Sequence, residues 1–181
     1  MQSAAEETVA LYAQDEVPGR VTGTAPRSRV RARNLPHAAV KILLRDAAGR
    51  VYVHRRTTGK DLYPGLLDAW VGGVITAGEE PLAAAERELG EEMGLRGCAL
   101  RPVTRRWYTD ADTNYLACVY ETRHDPGAHG PIVHQVSEVA DGWWLGWDEL
   151  TAGLADSGWP LAPDARSHLV HLAARLRPAE A

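Results

Sequence analysis

The stretch of chain that most constrains the fold runs from Gly72 to Leu95, with the sequence GGVITAGEEPLAAAERELGEEMGL. Glu88, Glu91 and Glu92 are spaced i, i+3 and i+4, so one helical turn would present all three carboxylates together. Apolar residues at helical spacing predict a separate face that packs on a core. The residues expected on that face are Leu82, Ala85, Leu89 and Met93. The stretch therefore predicts an amphipathic helix with a dense acidic cluster beside its buried face.

The acidic cluster has two interpretations. Like charges at helical spacing repel by about a few tenths of a kcal/mol per pair, so the cluster is unfavourable unless something neutralises it. Carboxylate oxygens are hard ligands that suit Mg²⁺ or Mn²⁺. On the glutamates alone, however, a merely solvated acidic face is the more common outcome. The sequence around the glutamates is needed to choose between a metal site and a solvated face.

Glycines and a proline bracket the expected helix. Gly72, Gly73 and Gly78 let the backbone turn sharply and approach a ligand closely. Pro81 suits the first helical position, where its missing N–H is harmless, and Gly94 predicts the end of the helix. We expect a glycine-rich loop that leads directly into the acidic helix.

The spacing of the whole segment resembles the Nudix box of the Nudix hydrolases. From Gly73, five residues lead to Glu79, and seven more lead to the run RELGEEMGL that begins at Arg87. Every defined position is present, which makes the match far more specific than a lone glycine pattern. Members of that family fold as a mixed sheet between helices, so the resemblance implies an α+β fold, an α/β/α sandwich.

The resemblance also implies a set of metal ligands. Glu88, Glu91 and Glu92 match the glutamates that bind divalent cations, and the carbonyl of Gly72 is expected to add a ligand. Glu138, in the later segment QVSEVADGWW, is a candidate ligand from another strand, and an exposed strand glutamate is the equal alternative. The implied cofactor is Mg²⁺, or Mn²⁺ in its place.

Other positions of the box imply supporting roles. Arg87 and Glu79 match the pair that holds the loop against the helix and orients the glutamates, and Gly73 and Gly94 match structural positions. Metal ions would neutralise the diphosphate oxygens and hold an activated water in line with phosphorus. The expected catalytic residues are Arg87 with Glu91 and Glu92, one of which, or a loop glutamate, would accept the proton of that water.

A narrower resemblance concerns the segment just before the box. The sequence HRRTTGKDLYPGLLDAWVGG is similar to the matching stretch of type 1 isopentenyl diphosphate isomerase and its hydrolase-like relatives. Arg56 and Lys60 match positions that hold the diphosphate, although a strand end with two basic residues is the alternative. His37 matches a metal-binding histidine of the isomerase. Gly72 and Val74, however, stand where the isomerase has its catalytic Cys and a metal-binding His.

Three functions follow from these resemblances. Thr113 and Tyr115 stand in place of two isomerase glutamates, so the acid–base set needed to protonate an alkene is incomplete. The first expectation is therefore a pyrophosphohydrolase that cleaves a small-molecule diphosphate, such as a nucleoside diphosphate derivative. An isomerase-like enzyme is the second. A non-catalytic nucleotide-sensing module is the third, although such modules usually lose box glutamates and all are present here.

The remaining sequence predicts strands and helices without βαβ regularity. Expected strands cover residues 37–45, 51–55, 99–107, 115–122, 131–139 and 143–147. Expected helices cover residues 147–155, with Asp148 as N-cap, and residues 164–176, with Leu169, Val170, Leu172 and Leu176 facing the core. We expect an N-terminal extended arm at 1–34, a hydrolase domain at 35–168, and a helix end and tail at 169–181.

The arm contains an unusual run of arginines. Arg27, Arg29, Arg31 and Arg33 alternate with other residues, so a strand would present all four on one face. A solvated sheet edge and a surface that steers phosphate are both open interpretations, the former being favoured.

Composition limits the partners and the compartment. The net charge of −4 over 181 residues argues against non-specific nucleic-acid binding. Cys98 and Cys118 lack metal-ligand spacing and are expected to be buried. Neither a signal peptide nor a long apolar run is evident, so we expect a cytoplasmic protein without a membrane partner. A homodimer formed through the N-terminal segment is a further expectation.

Overall fold

The computed structural model describes residues 7–14 and 19–178. The expected arm and tail therefore extend into residues 1–6, 15–18 and 179–181, which lie outside the described part. The strands are β1 (Thr8–Tyr12), β2 (Val21–Pro26), β3 (His37–Arg45), β4 (Val51–Arg56), β5 (Leu67–Asp68), β6 (Arg101–Thr109), β7 (Asn114–Arg123) and β8 (Val139–Leu145). The helices are α1 (Arg27–Ala32), α2 (Pro81–Met93), α3 (Pro126–His129), α4 (Trp147–Ala155) and α5 (Pro163–Leu176).

The sheet is mixed and is built around β3. This strand pairs in parallel with β7 over nine residues, from His37 opposite Tyr115 to Arg45 opposite Arg123. β7 pairs antiparallel with β6, and β4 pairs antiparallel with both β5 and β8. β1 joins the other side of β3 and carries β2 at the edge.

Every residue of β3 is buried because both faces of the sheet are covered. On one face, Val40 and Ile42 pack in a core with Leu89 and other residues of α2. On the opposite face, Leu43 packs in a second core with residues of α4 and α5, such as Leu169. The alternation of side chains along a strand thus creates two separate cores. The expected α/β/α sandwich is confirmed.

The arginine-rich run is a helix, which corrects the expected strand. Val30 of α1 is buried against Val9 and Val74, so one apolar side chain anchors the helix. Helical spacing puts Arg27 and Arg31 on the same side of α1. Arg29 points to solvent. The arm is therefore a hairpin followed by a helix rather than wholly extended chain.

The expected strand at residues 131–139 is also wrong, except for Val139, which begins β8. The N–H groups of Val133 and Gln135 donate to the carbonyls of Met93 and Glu92, at 2.9 and 3.0 Å. This segment therefore satisfies carbonyls at the C-terminal end of α2 instead of extending the sheet.

The buried stripe of α2 differs from the expected one in a way that matters for the site. Leu82 is 47% exposed, whereas Ala84 is fully buried and Glu92 is only 5% exposed. The acidic cluster is therefore partly inside the buried face rather than beside it. In α5, Val170 is likewise 59% exposed and not part of the core. α4 is capped by Gly146, and Asp148 lies in its first turn.

Cys98 and Cys118 are both buried, as expected. Within the described ranges, no helix combines the length and apolar character needed to span a bilayer.

Candidate active site

The glycine-rich loop is held in place by backbone hydrogen bonds to β3. Val40 N–H donates to the carbonyl of Gly73 at 2.9 Å, and Ile42 N–H donates to the carbonyl of Val71 at 2.8 Å. Further along, Ile75 N–H donates to a β3 carbonyl at 3.0 Å. The loop therefore runs beside the central strand as an additional, irregular strand, which fixes its position before the helix begins.

Two glycines of this loop allow close approaches that no side chain would permit. Gly72 has φ +150°, and a Cβ there would overlap the carbonyl oxygen of Val40. A Cβ at Gly73 would lie 2.5 Å from Glu88 Oε1. The carboxylate of Glu88 therefore lies directly against the loop backbone because residue 73 is glycine.

Arg87 ties the loop to the helix. Its Nε and Nη2 donate to the two carboxylate oxygens of Glu79, both at 2.9 Å, and Nη2 also donates to the Val74 carbonyl at 3.2 Å. Glu79 in turn accepts the N–H of Thr76 at 3.1 Å. Burial alone would raise the pKa of Glu79, but the hydrogen bonds from Arg87 and Thr76 lower it. Glu79 is thus held as a carboxylate between loop and helix.

The same guanidinium reaches two further glutamates of α2. Arg87 Nη1 donates to Glu88 Oε1 at 2.7 Å and to Glu91 Oε2 at 3.2 Å. The hydrogen bonds to Glu79, followed by the charge of Glu88, raise the pKa of Arg87. Glu91 is the most open of these carboxylates, with 53% of its side chain exposed. One arginine therefore faces three carboxylates in this conformation.

The remaining box glutamate is buried against the glycine loop. Glu92 Oε2 accepts the N–H of Gly72 at 3.3 Å. Burial raises the pKa of Glu92 to about 7, although the nearby charges of Lys60 and Arg56 favour ionisation. Burial also raises the pKa of Glu88. Both carboxylates are therefore poorly solvated and close to like charges, a state that a bound cation would relieve.

Carboxylate oxygens, such as those of this cluster, are the kind of ligand that a hard divalent cation prefers. In the present conformation, the described residues contain no group of three His, Cys, Asp or Glu side chains arranged to hold a metal. The reason is that Glu88 and Glu91 turn toward Arg87, so both would have to rotate toward a common point. The carbonyls of Gly73 and Val74 already accept hydrogen bonds from Val40 and Arg87.

A cleft adjoins the glycine loop and contains most of the basic candidates. Lys60 is largely buried in it and forms an ion pair with Glu138, which lies in the turn before β8 rather than in a strand. Arg56 also lines the cleft, but its Nε and Nη2 donate to the Leu62 carbonyl at 3.1 and 2.9 Å. The charge of Lys60 acts on Glu92 more strongly than that of Arg56 does, whereas Arg56 largely holds the loop at residues 57–66.

Part of the cleft lining comes from the N-terminal arm, which packs against the glycine loop through Val30 and Val74. Arg27 and Arg31 of α1 and Asp61 of the 57–66 loop line the same cleft as Gly72 and Gly73. Sequence reasoning found these arginines but assigned them to a strand. Once the segment is known to be a helix, their i, i+4 spacing separates them from the outward-facing Arg29 and Arg33. Other lining residues are His37, Lys41, Tyr63, Val74, Thr113, Tyr115 and Asp164.

His37, which matched a metal-binding histidine of the isomerase, is buried with Nδ1 2.9 Å from the Leu35 carbonyl. Burial lowers the pKa of His37 to about 4, so its ring is neutral near pH 7.

A second charged group lies on the α5 face of the sheet, and we call it the Lys41 network. Lys41 Nζ lies 2.8 Å from Asp164 Oδ2 and 3.7 Å from Asp68 Oδ2. Arg56 Nη1 lies 3.6 Å from the same Asp68 oxygen. Two buried carboxylates are therefore matched by two cations.

Hydrogen bonds extend the Lys41 network in one direction. Arg106 donates to His168 Nδ1 at 2.7 Å, so the ring proton is on Nε2, which donates to the Tyr115 hydroxyl at 2.9 Å. Tyr115 then donates to Asp164 Oδ2 at 2.8 Å. Burial opposes ionisation of Asp164, but Lys41 and Tyr115 lower its pKa to about 2. Each group in the chain thus has a partner of the correct polarity.

Comparisons with known proteins agree with this fold and identify the family. The family profile described as NUDIX domain matches residues 35–165. An uncharacterized Nudix hydrolase of Rhodococcus erythropolis is 41% identical over 175 residues, covering 91% of each chain. The uncharacterized Nudix hydrolase YfcD of Escherichia coli K12 is 36% identical over 132 residues, covering 73% of this chain and 71% of YfcD. The chain belongs to the Nudix hydrolase family and is an enzyme of the pyrophosphohydrolase class.

Solved structures give the same result. A crystal structure of a Deinococcus radiodurans protein superposes with a TM-score of 0.73 and 26% identity, covering 95% of this chain and all of the other. The Nudix domain of Shewanella oneidensis NrtR, solved with ADP ribose, has a TM-score of 0.61 at 17% identity, covering 84% of this chain and 100% of the NrtR domain. The second likeness supports the fold alone.

Proposed function

We propose that this enzyme hydrolyses a diphosphate linkage in a nucleoside diphosphate derivative or a related small diphosphate, and that it depends on Mg²⁺ or Mn²⁺. The ligands in this proposal are Glu88, Glu91, Glu92 and the carbonyl of Gly72, with Glu138 as a further candidate. The observation that carries the proposal is the burial of Glu92 and Glu88 against a glycine loop, next to a cleft with basic side chains. Such a cluster is unfavourable by itself and becomes favourable with a cation.

The residues of the chain would divide the work as follows. A bound divalent cation supplies charge neutralisation and lowers the pKa of a coordinated water. Arg87 and Glu79 keep the loop against α2, which holds the carboxylates at fixed positions. Lys60 would bind a diphosphate oxygen, releasing Glu138 from its ion pair. Glu91 or Glu92 would accept the proton of the attacking water.

Arg56 would act in the same proposal as a second diphosphate-binding residue, mainly by holding the 57–66 loop that carries Lys60. Gly73 and Gly94 would have structural roles. Gly73 leaves room for Glu88, and Gly94, with φ +69°, ends the helix in the left-handed region.

An isomerase-like reaction is less compatible with this site. The catalytic Cys of the isomerase would occupy position 72, where any Cβ would overlap the Val40 carbonyl. We therefore retain only the resemblance to the hydrolase-like relatives of the isomerase. A purely nucleotide-sensing module is not favoured either, because the sequence retains every box glutamate.

We also propose that residues 35–168 act as the catalytic domain of a cytoplasmic homodimer, with the arm at 1–34 packing on it. β2 lies at one edge of the sheet and exposes Val21, which offers an edge for pairing with a second copy. Molar mass from light scattering tests the dimer, and a monomeric mass at working concentration would contradict it.

The direct test is phosphate or nucleotide release from a panel of nucleoside diphosphate derivatives, with and without Mg²⁺ or Mn²⁺. Glu92→Gln keeps the shape of the side chain but loses the charge, so turnover should fall by about a thousandfold or more. Glu86→Gln, on the exposed side of the same helix, is the matched control and should keep wild-type turnover. Near-normal activity of folded Glu92→Gln would reject the site.

A further inference from the structure

The arm helix α1 brings two arginines to one carboxylate in the cleft. Arg31 Nε lies 3.0 Å from Asp61 Oδ2, and Arg27 Nη2 lies 3.9 Å from the same oxygen. The two arginine side chains are about one fifth exposed, whereas the Asp61 side chain is 44% exposed. Two partly desolvated guanidinium groups thus converge on a single, more exposed carboxylate that lines the cleft.

Both arginines are oriented by further contacts. Arg27 Nη1 donates to Glu7 Oε2 at 3.1 Å, and Glu7 Oε1 accepts the hydroxyl of Thr76 at 2.9 Å. Arg31 Nη1 donates to Thr113 Oγ1 at 3.3 Å. Arg27 is therefore connected to the glycine loop itself through Glu7 and Thr76. Guanidinium groups held in this way are suited to a phosphate, which offers more oxygens than one carboxylate.

Lys60 connects this end of the cleft with the box. It precedes Asp61 in sequence, and its positive charge acts on both Asp61 and Glu92. One cleft is therefore lined by Gly72 and Gly73 of the box loop, by Lys60 and by the two arginines. The buried Glu92 adjoins this lining because its carboxylate accepts the N–H of Gly72. A substrate whose diphosphate lies beside Lys60 would extend its remaining part toward Arg27 and Arg31.

We propose that Arg27 and Arg31 form a subsite for a further phosphate group of the substrate, separate from the diphosphate that is cleaved, and that Asp61 occupies this subsite until the substrate enters. This proposal rests on the proposed function and narrows its substrate class to diphosphates that carry an additional phosphate. Arg27, Arg31 and Asp61 are then specificity-determining residues.

The test uses two pairs of compounds that share a diphosphate linkage and differ by one phosphate. They are NADPH with NADH, and coenzyme A with dephospho-coenzyme A. The wild-type enzyme should favour the phosphorylated member of at least one pair by about tenfold or more in kcat/KM, the range expected for charge-assisted hydrogen bonds. A ratio near one in both pairs would overturn the proposal.

Two variants that should change KM in opposite directions separate an effect on phosphate binding from a general loss of protein stability. Arg31→Ala should raise KM for the phosphorylated compound by about tenfold to a hundredfold and leave its unphosphorylated partner nearly unchanged. Asp61→Asn removes the competing carboxylate, so it should lower KM for the phosphorylated compound by about threefold to tenfold. Arg29→Ala removes an equal charge from the exposed side of α1 and should change neither compound. Equal losses on both compounds in Arg31→Ala would assign Arg31 a structural role.

A binding experiment distinguishes failure of this proposal from failure of the proposed function. Calorimetry in metal-free buffer compares adenosine 3′,5′-bisphosphate and adenosine 2′,5′-bisphosphate with AMP. If no compound is hydrolysed but one bisphosphate binds more tightly in an Arg31-dependent manner, the subsite stands and the hydrolase proposal fails. Equal affinity for AMP and both bisphosphates would reject the subsite whatever the activity.

Discussion

The two charged clusters on opposite faces of β3 are built from the same kinds of side chain but differ in the balance of negative and positive charge. The box cluster comprises Glu79, Arg87, Glu88, Glu91 and Glu92. Three of its four carboxylates contact the Arg87 guanidinium, whereas Glu92 is buried against the N–H of Gly72. In the Lys41 network, Asp68 and Asp164 are matched by Lys41 and Arg56.

The difference in balance predicts a difference in role. Removing a partner from a matched buried pair leaves an uncompensated charge, so the Lys41 network should contribute to stability. Removing a carboxylate from the box cluster relieves repulsion, so that cluster should oppose folding until a cation binds. A cluster that is unfavourable by itself is therefore the better candidate for function.

The largest expected effect is in the Lys41 network. Asp164→Asn takes the closer carboxylate from Lys41, so we expect the free energy of unfolding to fall by about 3–5 kcal/mol. Urea denaturation measures this change. Asp148→Asn, an exposed carboxylate of α4, is the control and should change stability by less than about 0.5 kcal/mol. A similarly small effect of Asp164→Asn would remove the contrast between the clusters.

The second-largest expected effect is a loss of stability in acid, which also arises in the Lys41 network. Burial lowers the pKa of His168 to about 3, from an unfolded value of 6.5, so between these values the unfolded chain binds more protons than the folded chain. Stability is therefore lost as pH falls below 6.5, by about 2 kcal/mol from His168 at pH 5.

His168→Gln should reduce this pH dependence in urea denaturation at pH 7 and pH 5. The exposed His171→Gln on the same helix is the matched control. Equal pH slopes in the wild type and His168→Gln would show that His168 is already charged or solvated.

The smallest expected effect is an increase in stability rather than a decrease. Glu92→Gln removes a buried charge from the box cluster, so the metal-free protein should become more stable by about 1–2 kcal/mol at pH 8. Thermal or urea unfolding in a chelating buffer measures it. Mg²⁺ should then stabilise the wild type more than the variant. Destabilisation by Glu92→Gln without metal would mean that both clusters are structural.

Several parts of the molecule were accessible from the sequence because they depend on local rules. β3 was predicted at its observed bounds, since apolar runs bounded by turn residues are typical of buried strands. The start of α2 at Pro81 and its end at Gly94 followed from the conformations that these two residues favour.

Other parts depended on contacts between distant segments. The segment at residues 131–138 has strand-like composition, but its N–H groups bind α2 carbonyls. The arginine run alternates as a strand would, yet Val30 anchors it as a helix because a small core with Val9 and Val74 is available. No local pattern contains either partner, so neither outcome could be read from the sequence.

The sequence by itself determined the family, the sandwich fold and the identity of the acidic cluster, because these follow from residue spacing along one loop and one helix. Only the tertiary structure decided how that cluster is solvated and what faces it. Burial of Glu92 depends on the sheet beneath α2, and the arginines of the arm meet Asp61 because the fold brings α1 and the 57–66 loop to the same cleft. The energy of a charge depends on its surroundings, and those surroundings come from residues far away in the chain.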